Sequence, residues 1–174
     1  MCRILALALS LFAHGVAFAA EPELRAEAQR CASAMLAKDP DLAIPCMNPR
    51  LIAALGGEDA AKQTLARKRK QMDESGASFE GVTVGNPARS VTVNGREFAL
   101  IPEELRIRVK EGTLRQNAYM LAVREPGAAT WTFFDTAPAQ PGALAKLFPD
   151  TKAAEFEKLV IPPREAPVLE KAEE

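Results

Sequence analysis

The side chains of this chain that could move protons are carboxylates, lysines, arginines, hydroxyls, three cysteines, a single tyrosine and a single histidine. The histidine is His14, and it lies inside MCRILALALSLFAHGVAFAA, where Arg3 precedes an apolar run from Ile4 to about Phe18. That run closes on Ala17-Phe18-Ala19, an Ala-x-Ala cleavage site, so residues 1–19 are predicted to be a signal peptide cut after Ala19, with a periplasmic or secreted destination. The run is shorter than the roughly 20 residues that cross a bilayer. Cys2 precedes it rather than following it, which does not fit a lipoprotein signal, and no stable membrane insertion is expected.

Beyond residue 19 no imidazole remains. Ser-His-Asp and Cys-His nucleophilic catalysis both need one, as do histidine-ligated zinc, copper and iron sites. An Asp base with a Tyr donor is still chemically available, and Tyr119 with Asp135, Asp73 or Glu97 supplies the residue types. Their spacing along the chain does not gather them. The acids occur singly or as neighbours such as Glu58-Asp59 and Glu103-Glu104, and strand neighbours point to opposite faces. No metal or cofactor is therefore expected.

Cys31 and Cys46 stand fifteen positions apart, and in an oxidising compartment they are expected to form a disulfide. A redox pair would want the closer Cys-x-x-Cys spacing. Three further groups are candidate contacts. Lys68 falls in line with Ala61, Leu65 and Met72 on a helix, so its stem follows an apolar stripe to water or, alternatively, points into a pocket and meets an acidic ligand. Arg106, Arg108 and Arg115 are expected on one face of a hairpin, Arg108 opposite Arg115 across a Glu111-Gly112 turn. Like charges directly opposite destabilise a pair, so either the register differs, acidic neighbours such as Glu97 or Glu104 intervene, or the face holds an anion. Trp131 lies in YMLAVREPGAATWTFFD with Tyr119, Phe133 and Phe134, and is expected to pack in the core rather than to serve as a ligand platform.

The elements that must position these groups follow from periodicity. Leu24, Ala28, Cys31 and Met35 recur at helical spacing between Pro22 and Lys38. Asn48-Pro49 opens a short helix that Gly56-Gly57 ends, and a third helix runs from about Glu58 to Glu74 with a thin stripe. The pattern then changes to period two. Strands are predicted around Phe79 to Val84, Val91 to Val93, Phe98 to Ile101, Leu105 to Val109, Leu114 to Arg124 and Thr130 to Asp135, with Asn94-Gly95 as a hairpin turn. Short helices follow around Leu144 to Phe148 and Ala153 to Leu159. Residues 20–160 are thus expected to form a single α+β domain of helices on a curved antiparallel meander, and residues 161–174 an extended or disordered tail. The whole chain has 22 basic and 23 acidic residues, and losing Arg3 with the leader makes it 21 against 23. That balance gives no reason to expect nucleic acid as a partner.

This order of elements resembles the nuclear transport factor two-like or cystatin-like cone fold over residues 21–137. REPGAATW, residues 124–131, resembles an aspartate-box hairpin of pattern Ser-x-Asp-Gly-Gly-x-Thr-Trp, with Gly127, Thr130 and Trp131 matching. Arg124, Pro126 and Ala128 depart from it. The segment through LFPD to IPPREAPVLE is similar to a group of small secreted bacterial proteins. The cone resemblance implies isomerases and dehydratases among its members, and the box implies a structural turn. The residues themselves favour a non-catalytic module that binds a small molecule or an envelope protein over a metal-free, histidine-free enzyme.

Overall fold

The structure is a computed structural model that describes residues 21–135, 141–159, 161–163 and 165–171. The expected signal peptide lies outside the described residues. The chain begins with α1 (Glu21–Leu36), α2 (Pro40–Ala43), a 3-10 turn (Ile44–Cys46), α3 (Pro49–Ala54) and α4 (Glu58–Glu74). The strands follow as β1 (Ser78–Val84), β2 (Arg89–Val93), β3 (Arg96–Val109), β4 (Gly112–Arg124) and β5 (Thr132–Asp135). After them come α5 (Pro141–Leu147), α6 (Ala153–Glu157) and β6 (Val168–Lys171). This is the expected α+β layout, with N-terminal helices, a curled antiparallel sheet and short C-terminal helices.

Capping explains where the first helices start. Asp39 accepts from the Asp41 amide ahead of α2, and Pro40 at its first position has no amide to leave unpaired. Asn48 repeats the device for α3 while also reaching the sheet. Its Oδ1 accepts from Arg50 N, its Nδ2 donates to Thr132 Oγ1, and its own amide donates to the Phe133 carbonyl. One buried amide side chain therefore fixes the start of α3 against β5. On α1, Gln29 does similar work by donating to Val82 O and accepting from Val84 N, both at 2.9 Å. The Cys31–Cys46 disulfide, with Cα atoms 5.4 Å apart, ties α1 to the 3-10 turn.

Six strands form one antiparallel sheet around the long pair β3 and β4. The outer edge of β3 pairs with β2 through residues 96–100 and with β1 through residues 103–108. The outer edge of β4 pairs with β6 through residues 112–115 and with β5 through residues 120–123. Two short strands laid end to end along each long one curl the sheet into a half-barrel. The two strands expected at Phe98–Ile101 and Leu105–Val109 are one, because Pro102 falls in the gap between β2 and β1. No ladder partner needs its missing amide there. Within the segment expected to be an extended or disordered tail, residues 168–171 are paired as β6.

Side-chain alternation gives the sheet two apolar faces. Ala99, Ile101, Met120, Ala122 and Phe133 face α1 together with Trp131. Phe98, Leu121, Val123 and Phe134 face the opposite layer, which Leu144, Phe148, Phe156 and Leu159 from the α5–α6 segment close. Phe148 and Phe156 each meet Phe98 edge to face with ring centroids 5.2 Å apart. Arg96, only 4 % exposed, locks this layer. It donates to both carboxylate oxygens of Asp150 and to Glu125, while its guanidinium lies over the Phe148 ring.

Candidate functional site

The face toward the N-terminal helices is not filled along its whole length. α1 covers one part of it, but α4 packs on α2, α3 and the 3-10 turn and leaves a cavity of about 680 Å³ between itself and the sheet. The thin stripe of α4 is the reason. Ala61, Leu65 and Met72 offer too little apolar surface to seal the opposing Phe79, Leu105, Ile107 and Met120, and all of them line the cavity. α5 adds Leu144 and Leu147 to the wall.

Every methionine of the chain except Met1 lines this space, namely Met35, Met47, Met72 and Met120. Thioether side chains are unbranched and polarisable, and they reshape around a flexible apolar occupant at little cost. Among the described residues no buried polar side-chain atom lacks a hydrogen-bond partner. The charged lining groups are Lys38, Lys68, Arg69, Lys146, Glu103 and Asp135. Arg69 is committed to the carbonyls of Leu36 and Ala37, and its guanidinium sits 5.1 Å from the Phe79 ring centroid. Lys68 is exposed and makes no ion pair among the described residues, although Lys62 and Lys70 on the same helix are paired.

Of the side chains singled out by sequence, Lys68 and Asp135 come together in the lining of this cavity, whereas Tyr119 and Trp131 do not. Met120 faces the cavity, so its strand neighbour Tyr119 projects from the other side of the sheet, where it is half-buried. Trp131 is 7 % exposed and packed in the α1 layer, with the Arg124 guanidinium 4.7 Å from its ring centroid. Arg124 in turn donates three hydrogen bonds to the Glu97 carboxylate, which does not line the cavity that Asp135 lines.

The basic face takes a register different from the expected one. Val109 pairs with Gly112, so the turn is Lys110-Glu111, Arg106 stands opposite Arg115, and Arg108 stands opposite Thr113. Gly112 suits this register, because its φ of +145° and the 2.2 Å between a Cβ placed there and Glu170 O leave no room for a side chain where β6 approaches. Acids then separate the cations. Glu170 of β6 contacts both Arg106 and Arg115, and Glu104 contacts Arg115. Glu80, the extra residue of a bulge between Phe79 and Gly81, pairs with Arg108 and accepts from Thr113 Oγ1. Hydrogen bonding from Arg108 first, then from Thr113, lowers the Glu80 pKa below the usual carboxylate value. This face is a salt-bridged surface, with its charge neutralised from within the chain.

Sequence reasoning offered a pocket only as the alternative for Lys68 and did not foresee its walls. Its lining comes from nearly every element, and the signals that could have found it are the weak stripe of α4 and the methionines scattered through the chain. Among the described residues no helix is long and apolar enough to cross a membrane, and no three Cys, Asp or Glu side chains gather as a cation site. Comparison of the chain with protein-family models, with curated proteins and with solved structures finds no match.

Proposed function

We propose that this protein is a non-catalytic exported binding module that holds a small, largely apolar molecule between α4 and the sheet. The observation that carries this reading is the cavity of about 680 Å³. It falls within the roughly 300–1,000 Å³ typical of ligand sites and is walled mainly by apolar side chains, Leu, Ala, Met and Phe foremost. Protein interiors are close-packed, and a void of this size is more than the imperfect fit of two helices. Export agrees with the Cys31–Cys46 disulfide, a bond that persists in oxidising compartments. The curl of the sheet around its helices is the shape shared by nuclear transport factor two-like and cystatin-like folds, and a place among them is part of the proposal. Binding is preferred to isomerase or dehydratase chemistry because Tyr119, the one phenol, does not line the space that Asp135 lines.

The test is native mass spectrometry of the protein purified without denaturant from the host that exports it, joined to a thermal-shift screen. A released organic adduct, or a melting temperature raised by apolar or amphipathic compounds and not by sugars or nucleotides, is the expected result. Protein that carries no adduct and whose melting no such compound shifts would overturn the reading. Turnover abolished by Tyr119→Phe would replace it with an enzyme.

A further inference from the structure

Given that reading of the cavity as a binding site, the charges at its rim say what kind of molecule enters. Four cationic side chains line it, Lys38, Lys68, Arg69 and Lys146, against two carboxylates, Glu103 and Asp135. The three lysines come from separate parts of the fold: the segment after α1, α4, and α5. All three are exposed, and none forms an ion pair among the described residues. Covering such cations with bound ligand without a counter-charge would be unfavourable, whereas an anion at the mouth would supply one. The interior asks for the opposite chemistry, since Leu65, Leu105, Ile107, Phe133 and the methionines offer apolar contact alone.

We infer that the ligand is a single-chain amphipathic carboxylate, its hydrocarbon chain inside the Met-lined cavity and its head group at the lysine rim. The flexible thioethers suit a flexible chain better than a rigid ring system. The lysine ammonium groups act as mobile point charges that follow a carboxylate without requiring one fixed geometry.

The experiment is isothermal titration calorimetry of the purified protein with three ligands of one chain length: decanoate, decanol and decyltrimethylammonium. Decanoate should bind at one molecule per chain and about fivefold or more tighter than decanol, the size of effect that exposed ion pairs supply, with the ammonium weakest. Lys68→Glu should shrink the preference for decanoate over decanol, while Lys152→Glu, outside the cavity, should leave it intact. Equal affinity for decanoate and decanol, a preference for the ammonium, or a decanoate preference untouched by both Lys68→Glu and Lys146→Glu would overturn the assignment of the head group and leave cavity binding standing. Failure of all three ligands to bind would overturn the cavity reading, and this inference with it.

Discussion

Arg96 shows how one side chain can hold two elements together. A buried guanidinium is tolerated only with its charge and its donors satisfied, and here Asp150, Glu125 and the Phe148 ring divide that task. Replacing it by Met keeps much of the volume but strands two carboxylates beside an apolar layer. Because both carboxylates keep considerable exposure, Arg96→Met should cost about 1–3 kcal/mol rather than the larger sum of a fully buried pair, as measured by urea denaturation. The Asp150 pKa is lowered, chiefly by hydrogen bonding from Arg96, and the Glu80 pKa is lowered in the same sense by Arg108. Each is depressed in the folded state, so its contribution is fully present above the unfolded carboxylate value near about 4 and is lost as pH falls through the lowered folded value. Asp150→Asn should therefore flatten the fall in the denaturation midpoint below about pH 4; an unchanged acid profile would show that Arg96 does not hold this carboxylate. At Trp131, Ala should cost roughly 3–5 kcal/mol, and a near-neutral result would mean an exposed indole. Burial of Trp131 was legible from sequence because Phe133 shares its face and Phe134 takes the other. Arg96 was not legible, since nothing in its neighbours announces that Asp150, far along the chain, will meet it.

At the scale of elements, local signals carried far. Asn48-Pro49, Asn94-Gly95 and the limits of α4 depend on caps and turns that act within a few residues, and the structure keeps all three. Non-local pairing carried less. The place of Pro102 within a continuous β3 depends on where β1 and β2 stop, and the charge balance of the face beside the Lys110-Glu111 turn depends on a strand more than fifty residues downstream. That strand is β6, and its Glu170 lies between Arg106 and Arg115, which oppose each other in the register. Truncation after Pro167 should leave the two arginines facing with less compensation. In that shortened chain Arg115→Thr should gain about 0.2–1 kcal/mol, whereas in the full chain the same change should be neutral or destabilising. The same sign in both chains would show that β6 does not neutralise this face. The disulfide is the other long-range tie. Removing it by Cys31→Ser with Cys46→Ser should lower stability by about 3 kcal/mol, which chemical denaturation of the double variant would register.

Across the whole molecule a filled layer and a hollow one lie on either face of the sheet and meet at its β5 edge, where Phe134 and Leu144 of the filled layer also line the cavity. Phe98, Leu121, Phe148, Phe156 and Leu159 fill the space under α5 and α6, with each of them under 2 % exposed. On the other face Leu65 of α4 is only half-buried and looks across the cavity toward Leu105, Ile107 and Met120. The contrast was not legible in the sequence, because a helix with a thin stripe can either lie tightly on a sheet or stand off from it, and only the α2–α4 packing decides. It predicts that enlarging a side chain will have opposite consequences on the two faces. Leu121→Trp inserts an indole into a filled layer and should cost about 1–3 kcal/mol or more through displaced rotamers. Leu65→Trp places the same indole where there is room for it, so stability should change by less than about 1 kcal/mol or rise, since apolar surface is buried without strain. It should also weaken binding of an apolar ligand, because the indole occupies the ligand's volume. Paired urea denaturation of the two variants decides the matter: equal destabilisation would mean that α4 closes onto the sheet in solution, and a tolerated Leu65→Trp with lost ligand uptake would mean that the hollow is a standing feature of the fold.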